Sequence, residues 1–486
     1  MNFSDSKYFC EFLDFHAHRT PQKLALSDFF GSELSYGDLF SESKKAAGFL
    51  LENGLDSLDR VIVSLGNTCD QAIWHYGVML SGGISVPLQD NLPLERLKVF
   101  IQDSGAKFLV SRDGIFDLAT MDRLGDLSDI ARFTEAFVVR PLENVCSILY
   151  TTGSTGRPKG VALTQSGMIA ALTHILSYIS YSEHTREMIV LPISHSFGLG
   201  HMYCSHISGG YVHLENGLTR LKRFFSALQD RKINGMCATP TICQLLTERY
   251  REKFLLSSTS LDYMVVNSAP LPPETTTKLI SLKAHLKVIV YYGLTEASRS
   301  SFITLTSDNA EVYHTVGKAA KGVVIELIDG EICIRGPHLF KGYWGQELET
   351  KKVLKQGCFH TGDLGEFDSD KNLVIKGRIK DQINVGGLKI SPKEVECAIE
   401  KNTMVKDVAV VGVDDPDNLR GQVVGALVVL EDGLTGCDLV HKRQLLDHCS
   451  DLLEPHALPS VLKFTSLIPR SESGKILRGE VSKCLI

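Results

Sequence analysis

Between Leu149 and Val161 the chain reads Leu-Tyr-Thr-Thr-Gly-Ser-Thr-Gly-Arg-Pro-Lys-Gly-Val, a composition suited to holding phosphate after a strand. Gly153, Gly156 and Gly160 let backbone N–H groups turn inward with no Cβ in the way. Thr151, Thr152, Ser154 and Thr155 add hydroxyl donors, and Arg157 and Lys159 bring positive charge, which together suit a polyanion such as a nucleotide. The run is not a Walker A loop. That motif needs Gly-Lys followed at once by Ser or Thr, whereas here Pro158 parts Arg157 from Lys159 and Gly160 follows the lysine. A different phosphate chemistry is indicated.

Further segments follow in a fixed order: Pro192 to Gly198, Asn267 to Leu271, Tyr291 to Glu296, His360 to Leu364 with Gly377-Arg378, and Arg470 to Arg478. As a series they resemble the adenylate-forming superfamily, which comprises acyl-CoA synthetases, carrier-protein adenylation domains and beetle luciferases. The resemblance implies that Thr151, Thr152, Gly153, Ser154, Thr155, Gly156 and Lys159 bind the phosphates of ATP. It implies that Asn267, Ser268, Ala269 and Pro270, with Tyr291, Tyr292, Gly293 and Thr295, hold the adenine and α-phosphate. Glu296 becomes the residue that helps bind Mg²⁺, because a carboxylate beside ATP is tolerable only when a divalent cation bridges the two. Asp363 is expected to accept hydrogen bonds from the ribose hydroxyls, with Arg378 adding a donor. Lys475, in Ser-Gly-Lys-Ile-Leu-Arg, is expected to hold the substrate carboxylate against the α-phosphate.

The acyl pocket is expected around His195, Ser196, Phe197, Gly200, Cys237, Val265, Asn267, Tyr291 and Arg299. Amino-acid-activating relatives commonly carry an aspartate where Ser196 stands, which disfavours a free α-amino acid. Arg299 offers a partner for a second acidic group on the substrate, or serves as a structural arginine. By the same resemblance a small domain swings about Lys380 between two half-reactions, bringing Gly386-Gly387 to line the path of the thiol. Asn384 stands where many relatives have a lysine.

These residues need elements to position them. Arg60 to Leu65 reads as a strand, Gln71 to Leu80 as a helix and Gly83 to Pro87 as a strand, an α/β alternation with parallel sheets. Val323 to Ile328 and Glu331 to Arg335 flank Asp329-Gly330, the signature of a tight hairpin, so an antiparallel β segment follows. The charged run Gly377 to Asp381 marks a junction, dividing the chain into 1–379 and 380–486. Past it, Ser391-Pro392-Lys393-Glu394 predicts a helix with a capping box, running through Ile399. Strands over 408–413 and 423–430 and a helix over 442–453 complete a small α+β domain.

The 486 residues, 43% of them hydrophobic, are enough for more than one core. A net charge of −6 with no dense basic run argues against nucleic acid. Twelve cysteines without a Cys-x-x-Cys pair read as reduced thiols, and the first residues lack a secretory pattern, so a cytoplasmic location is expected. No apolar run approaches the ~20 residues of a membrane helix. The expected activity is an ATP-dependent acid–thiol ligase, first an acyl-CoA synthetase using CoA, alternatively an enzyme loading the phosphopantetheine of an acyl or peptidyl carrier protein. A non-catalytic nucleotide-binding interaction protein is the alternative from another class.

Overall fold

The computed structural model describes residues 3, 6–138, 141, 143–151, 158–283, 285–385, 388–415, 422–431, 438–471 and 474–486. Two compact units emerge. The first comprises Met1–Ile325 and Ile334–Phe359, and the second Glu326–Cys333 and His360–Ile486. Lys380 lies within the second unit, in the short 3₁₀ turn Ile379–Asp381 that follows strand Leu373–Arg378.

Among the described residues the first unit carries two large mixed sheets. In one, strands Leu24–Asp28, Tyr211–Leu214, Arg186–Ile189, Gly235–Ala238, Tyr263–Val266 and Lys287–Leu294 run parallel side by side. Antiparallel Glu33–Ser35 flanks them at one edge, and Ala297–Leu305 with Lys318–Ala319 at the other. In the second sheet Val145–Thr151, Ile84–Pro87, Arg60–Ser64 and Phe108–Ser111 are parallel, and Lys159–Thr164 returns antiparallel beside Val145–Thr151. Parallel strands covered on both faces must be apolar throughout, which is why Val61-Ile62-Val63 is a continuous buried run. Helices Tyr36–Glu52, Cys69–Leu80 and Ser196–Ile207 share one core with both sheets, and Trp74, Tyr36, Tyr76 and Tyr203 are its largest fully buried side chains. The first of these helices is fixed by a reciprocal cap between Ser35 and Asp38.

The second unit follows the same logic on a smaller scale. Strand Val405–Asp414 alternates strictly: Val408 and Val410 enter the core shared with helices Pro392–Glu400 and Asp438–Ser450. Ala409, Val411 and Val413 face the opposite way and are covered by Val481 and Leu485 of helix Arg478–Leu485. The hairpin at Asp329-Gly330 forms as the sequence predicts, with φ of 52° and 79°, the left-handed pair a two-residue hairpin of the primed type demands. The expected capping box at Ser391 does not form. Helix Pro392–Glu400 begins there, but the Ser391 hydroxyl donates instead to Lys376 O at 2.9 Å, so the cap residue tethers the helix to strand Leu373–Arg378.

Three imidazoles in the first unit, His75, His206 and His338, are buried, and burial pushes each down to about 3. In the unfolded chain they titrate near 6.5. Below that pH the unfolded state binds protons the folded state refuses, so the stability they contribute is complete above about 6.5 and is lost as pH falls toward about 3. The expected outcome is a calorimetric melting temperature that drops between pH 7 and pH 5, with unfolding at pH 5 taking up about three protons from these groups.

Candidate active site

Strands Val145–Thr151 and Lys159–Thr164 pair with Thr151 opposite Lys159. The expected phosphate-binding residues Thr152, Gly153, Ser154, Thr155 and Gly156 lie outside the described residues, as do Gly386 and Gly387. The lysine at the foot of the second strand is already engaged. Its Nζ stands 2.9 Å from a Glu349 carboxylate oxygen and 4.8 Å from the centre of the Tyr343 ring. Hydrogen bonding from Lys352 and then from Lys159 holds the Glu349 carboxyl down at about 2. On its other side Tyr343 donates its hydroxyl to Glu296 Oε1 at 2.8 Å. One ring therefore joins the expected phosphate-binding lysine to the expected metal-binding glutamate.

The two loops expected to cradle the nucleotide lie at the carboxyl ends of neighbouring parallel strands, Tyr263–Val266 and Lys287–Leu294, where ligands of open α/β sheets bind. Asn267 ties them together: its Nδ2 donates to Tyr291 O at 2.6 Å, and its Oδ1 accepts from the N–H of Ser268. Ser268 takes a left-handed φ of 84° to make that turn. Tyr292, Gly293 and Thr295 sit in a sharp hairpin between Lys287–Leu294 and Ala297–Leu305, with Leu294 paired to Ala297. Gly293 is required there, because a Cβ would meet the backbone N of Arg299 and stand 2.7 Å from Ala297 O.

Beside this hairpin opens a cleft of mixed lining. Leu149, Leu163, Met168, Ala171, Leu172 and Leu199 form its apolar wall, while Ser196, Thr295, Ser298 and Arg299 supply polar groups. Gly167, Gly200, Tyr203 and His338 complete the lining. His195 is exposed at the head of helix Ser196–Ile207.

In the second unit Asp363 and Arg378 pair across antiparallel strands Cys358–Phe367 and Leu373–Arg378, with Arg378 Nε 2.8 Å from Asp363 Oδ1. The carboxylate is buried and the guanidinium half-exposed, so the arginine orients the acceptor from the open side. Lys475 is exposed on a turn closed by Ser471, whose N–H donates to Lys475 O at 2.8 Å and whose hydroxyl accepts from the Lys475 N–H at 3.2 Å. Below it Arg478 reaches Glu396 at 2.8 Å and Asp381 at 3.3 Å, linking the last helix to the turn that carries Lys380.

The sequence profile described as AMP-binding enzyme matches residues 13–344, and that of the AMP-binding enzyme C-terminal domain matches 394–475. This chain belongs to the AMP-binding enzyme family. A feruloyl-CoA synthase of Amycolatopsis sp is 30% identical over 480 residues, covering 93% of this chain and 94% of that protein. A long-chain-fatty-acid–CoA ligase of Mycobacterium tuberculosis is 27% identical, covering 92% of each. The crystal structure of ATP-bound MatB from Rhodopseudomonas palustris shares the fold, with a TM-score of 0.85 at 24% identity, over 98% of this chain and 100% of that one. The expected activity class, an AMP-forming acid–thiol ligase, and the α/β plus small α+β architecture are borne out.

Within this AMP-binding enzyme the cleft differs in part from the pocket expected. Ser196, Gly200 and Arg299 line it. Cys237 and Val265 do not, because both are fully buried strand residues, and the Cys237 thiol turns to Glu187 Oε1 at 3.4 Å. Phe197 and Tyr291 pack edge to face with centres 5.5 Å apart behind the lining, and Asn267 is committed to the loop tie described above. Sequence motifs pointed neither to Tyr343 nor to Glu187, a buried carboxylate receiving Tyr181 and Ser205 hydroxyls at 2.9 and 2.8 Å. Neither stands in a recognisable motif, and only the fold brings them to their partners. A substitution tests the hairpin: Gly293→Ala is expected to cost about 1–3 kcal/mol by overpacking and to weaken ATP binding measured calorimetrically. Gly479→Ala, whose Cβ meets nothing within 4 Å, should leave ATP affinity unchanged.

Proposed function

We propose that this enzyme joins a small carboxylic acid to the thiol of CoA by way of an acyl-adenylate. The observation that carries the reading is the Tyr343 bridge, which sets Lys159 and Glu296 on one ring within the unit that holds the apolar cleft. Oε1 of Glu296 takes the tyrosine hydroxyl, while among the described residues Oε2 receives no donor, which leaves a hard oxygen suited to Mg²⁺. When bound, Mg²⁺ neutralises phosphate charge.

In the first half-reaction a carboxylate oxygen of the acid bonds to the α-phosphorus as the bond to the β-phosphate oxygen breaks and pyrophosphate leaves. Lys159 and the residues from Thr151 to Gly156 bind the departing phosphates, and Lys475 holds the carboxylate against the phosphorus. His195 borders the acyl group. Asp363 accepts from the ribose hydroxyls, with Arg378 fixing its orientation. In the second half-reaction the thiol sulfur bonds to the carbonyl carbon, AMP leaves with the former carboxylate oxygen, and the thiol proton goes to solvent. Movement of residues 380–486 about Lys380 exchanges Lys475 for Gly386-Gly387 at the reacting group.

The named CoA ligases among the relatives support CoA as acceptor over a carrier protein, and a cytoplasmic location fits described cysteines that are all free thiols. Among the described residues no helix is long and apolar enough to cross a membrane. The test is acid-dependent ATP–pyrophosphate exchange over a panel of acids, followed by thioester formation with CoA and with carrier proteins. Exchange that leads to product only with a carrier protein overturns the acceptor, and no exchange with any acid overturns the reading. Lys475→Ala is expected to abolish exchange while retaining thioester formation from supplied acyl-adenylate and CoA.

A further inference from the structure

We infer that the preferred acid carries a second carboxylate, separated from the reacting one by a short apolar spacer, and that Arg299 binds it; this rests on the ligase reading above. Arg299 lines the cleft yet is 3% exposed. Among the described residues its guanidinium donates to neutral partners alone. Nη2 donates to Ser196 O at 2.6 Å and, at a long 3.4 Å, to Phe197 O, while Nη1 donates to the Ser298 hydroxyl. Nε is buried and, among the described residues, has no hydrogen-bond partner. Among the described residues no carboxylate lies within 4.0 Å of the guanidinium, although a buried charge is costly unless an opposite charge answers it.

The nearby buried carboxylate is not available to answer it. Glu187 is engaged by the hydroxyls of Tyr181, Ser205 and Tyr263 and by the Cys237 thiol, and it does not line the cleft. The fold nonetheless expends conformational strain to place the arginine. Arg299 adopts a left-handed φ of 67°, a conformation that costs energy for a residue with a Cβ. Gly200 leaves open the space the guanidinium occupies, since a Cβ there would collide with Nη2. The Tyr291 ring lies 5.7 Å from the guanidinium carbon.

The other basic side chain of the lining, His338, is pushed down to about 3, first by burial, and is neutral. Positive charge on the lining is therefore concentrated at Arg299, in a cleft otherwise lined largely by apolar side chains. A carboxylate meeting Nε and Nη2 side-on takes the orphaned donor and replaces the long Phe197 contact, a planar two-bond geometry the guanidinium favours. Leu163, Met168 and Leu172 would then cover the spacer.

The experiment compares matched acids with the full-length enzyme and MgATP, using pyrophosphate exchange: hexanoate against adipate, and benzoate against terephthalate. In the wild type one diacid should exceed its monoacid about 100-fold in kcat/KM, the worth of hydrogen bonds to a charged, water-shielded group. Arg299→Met should erase that ratio chiefly by raising KM for the diacid, and Arg299→Lys should recover part of it. Gly200→Ala, which displaces the guanidinium without removing its charge, should also lower the ratio. Should Arg299→Met fail to fold, the wild-type pairs and Gly200→Ala decide. Equal or better use of monoacids by the wild type, or an unchanged ratio in Gly200→Ala, overturns the inference while leaving the ligase intact; no exchange with either kind of acid overturns the ligase reading instead.

Discussion

Charge held out of bulk water must be answered at close range, and this constraint holds in each of the two units. Lys159 is answered by Glu349, Glu296 by the Tyr343 hydroxyl and Asp363 by Arg378. Each pair fixes a side chain in the folded chain, so any ligand that uses it need not also order it. Arg299 departs from the pattern. It is buried among carbonyls and a hydroxyl, with one donor unused, in the wall of the cleft.

The sheets make these pairings possible. A parallel strand ends where its neighbours end, so loops distant in sequence emerge together, and Asn267 can reach Tyr291 O because Val266 is in register with Val290. The hairpin from Gly293 to Ala297 then turns back so tightly that Arg299 is carried to the head of helix Ser196–Ile207. Apolar burial sets the frame, since the core shared by both sheets and their helices fixes the strand ends to which the polar loops are attached.

Local chemistry was legible wherever a short stretch determines its own conformation. Asp329-Gly330 announced its hairpin, and the β-branched run over 408–413 announced a strand, whose two buried faces only the packing reveals. Helix Pro392–Glu400 was announced by its proline even though Ser391 bonds elsewhere, because the carbonyl of Lys376, fifteen positions away, competes for the hydroxyl. Cys237 and Val265 stand on neighbouring, fully buried strands, and the Cys237 thiol turns to Glu187, so neither reaches the cleft.

The reaction class was carried by ordered short motifs, through their resemblance to those of adenylate-forming enzymes. The meeting of Lys159 and Glu296 on Tyr343, the retreat of Cys237 and Val265, and the isolation of Arg299 were decided only by tertiary structure. The physical reason is range. Motifs record what a segment does with its own atoms, whereas the compensation of a buried charge depends on which distant side chain the packing brings within a few ångströms.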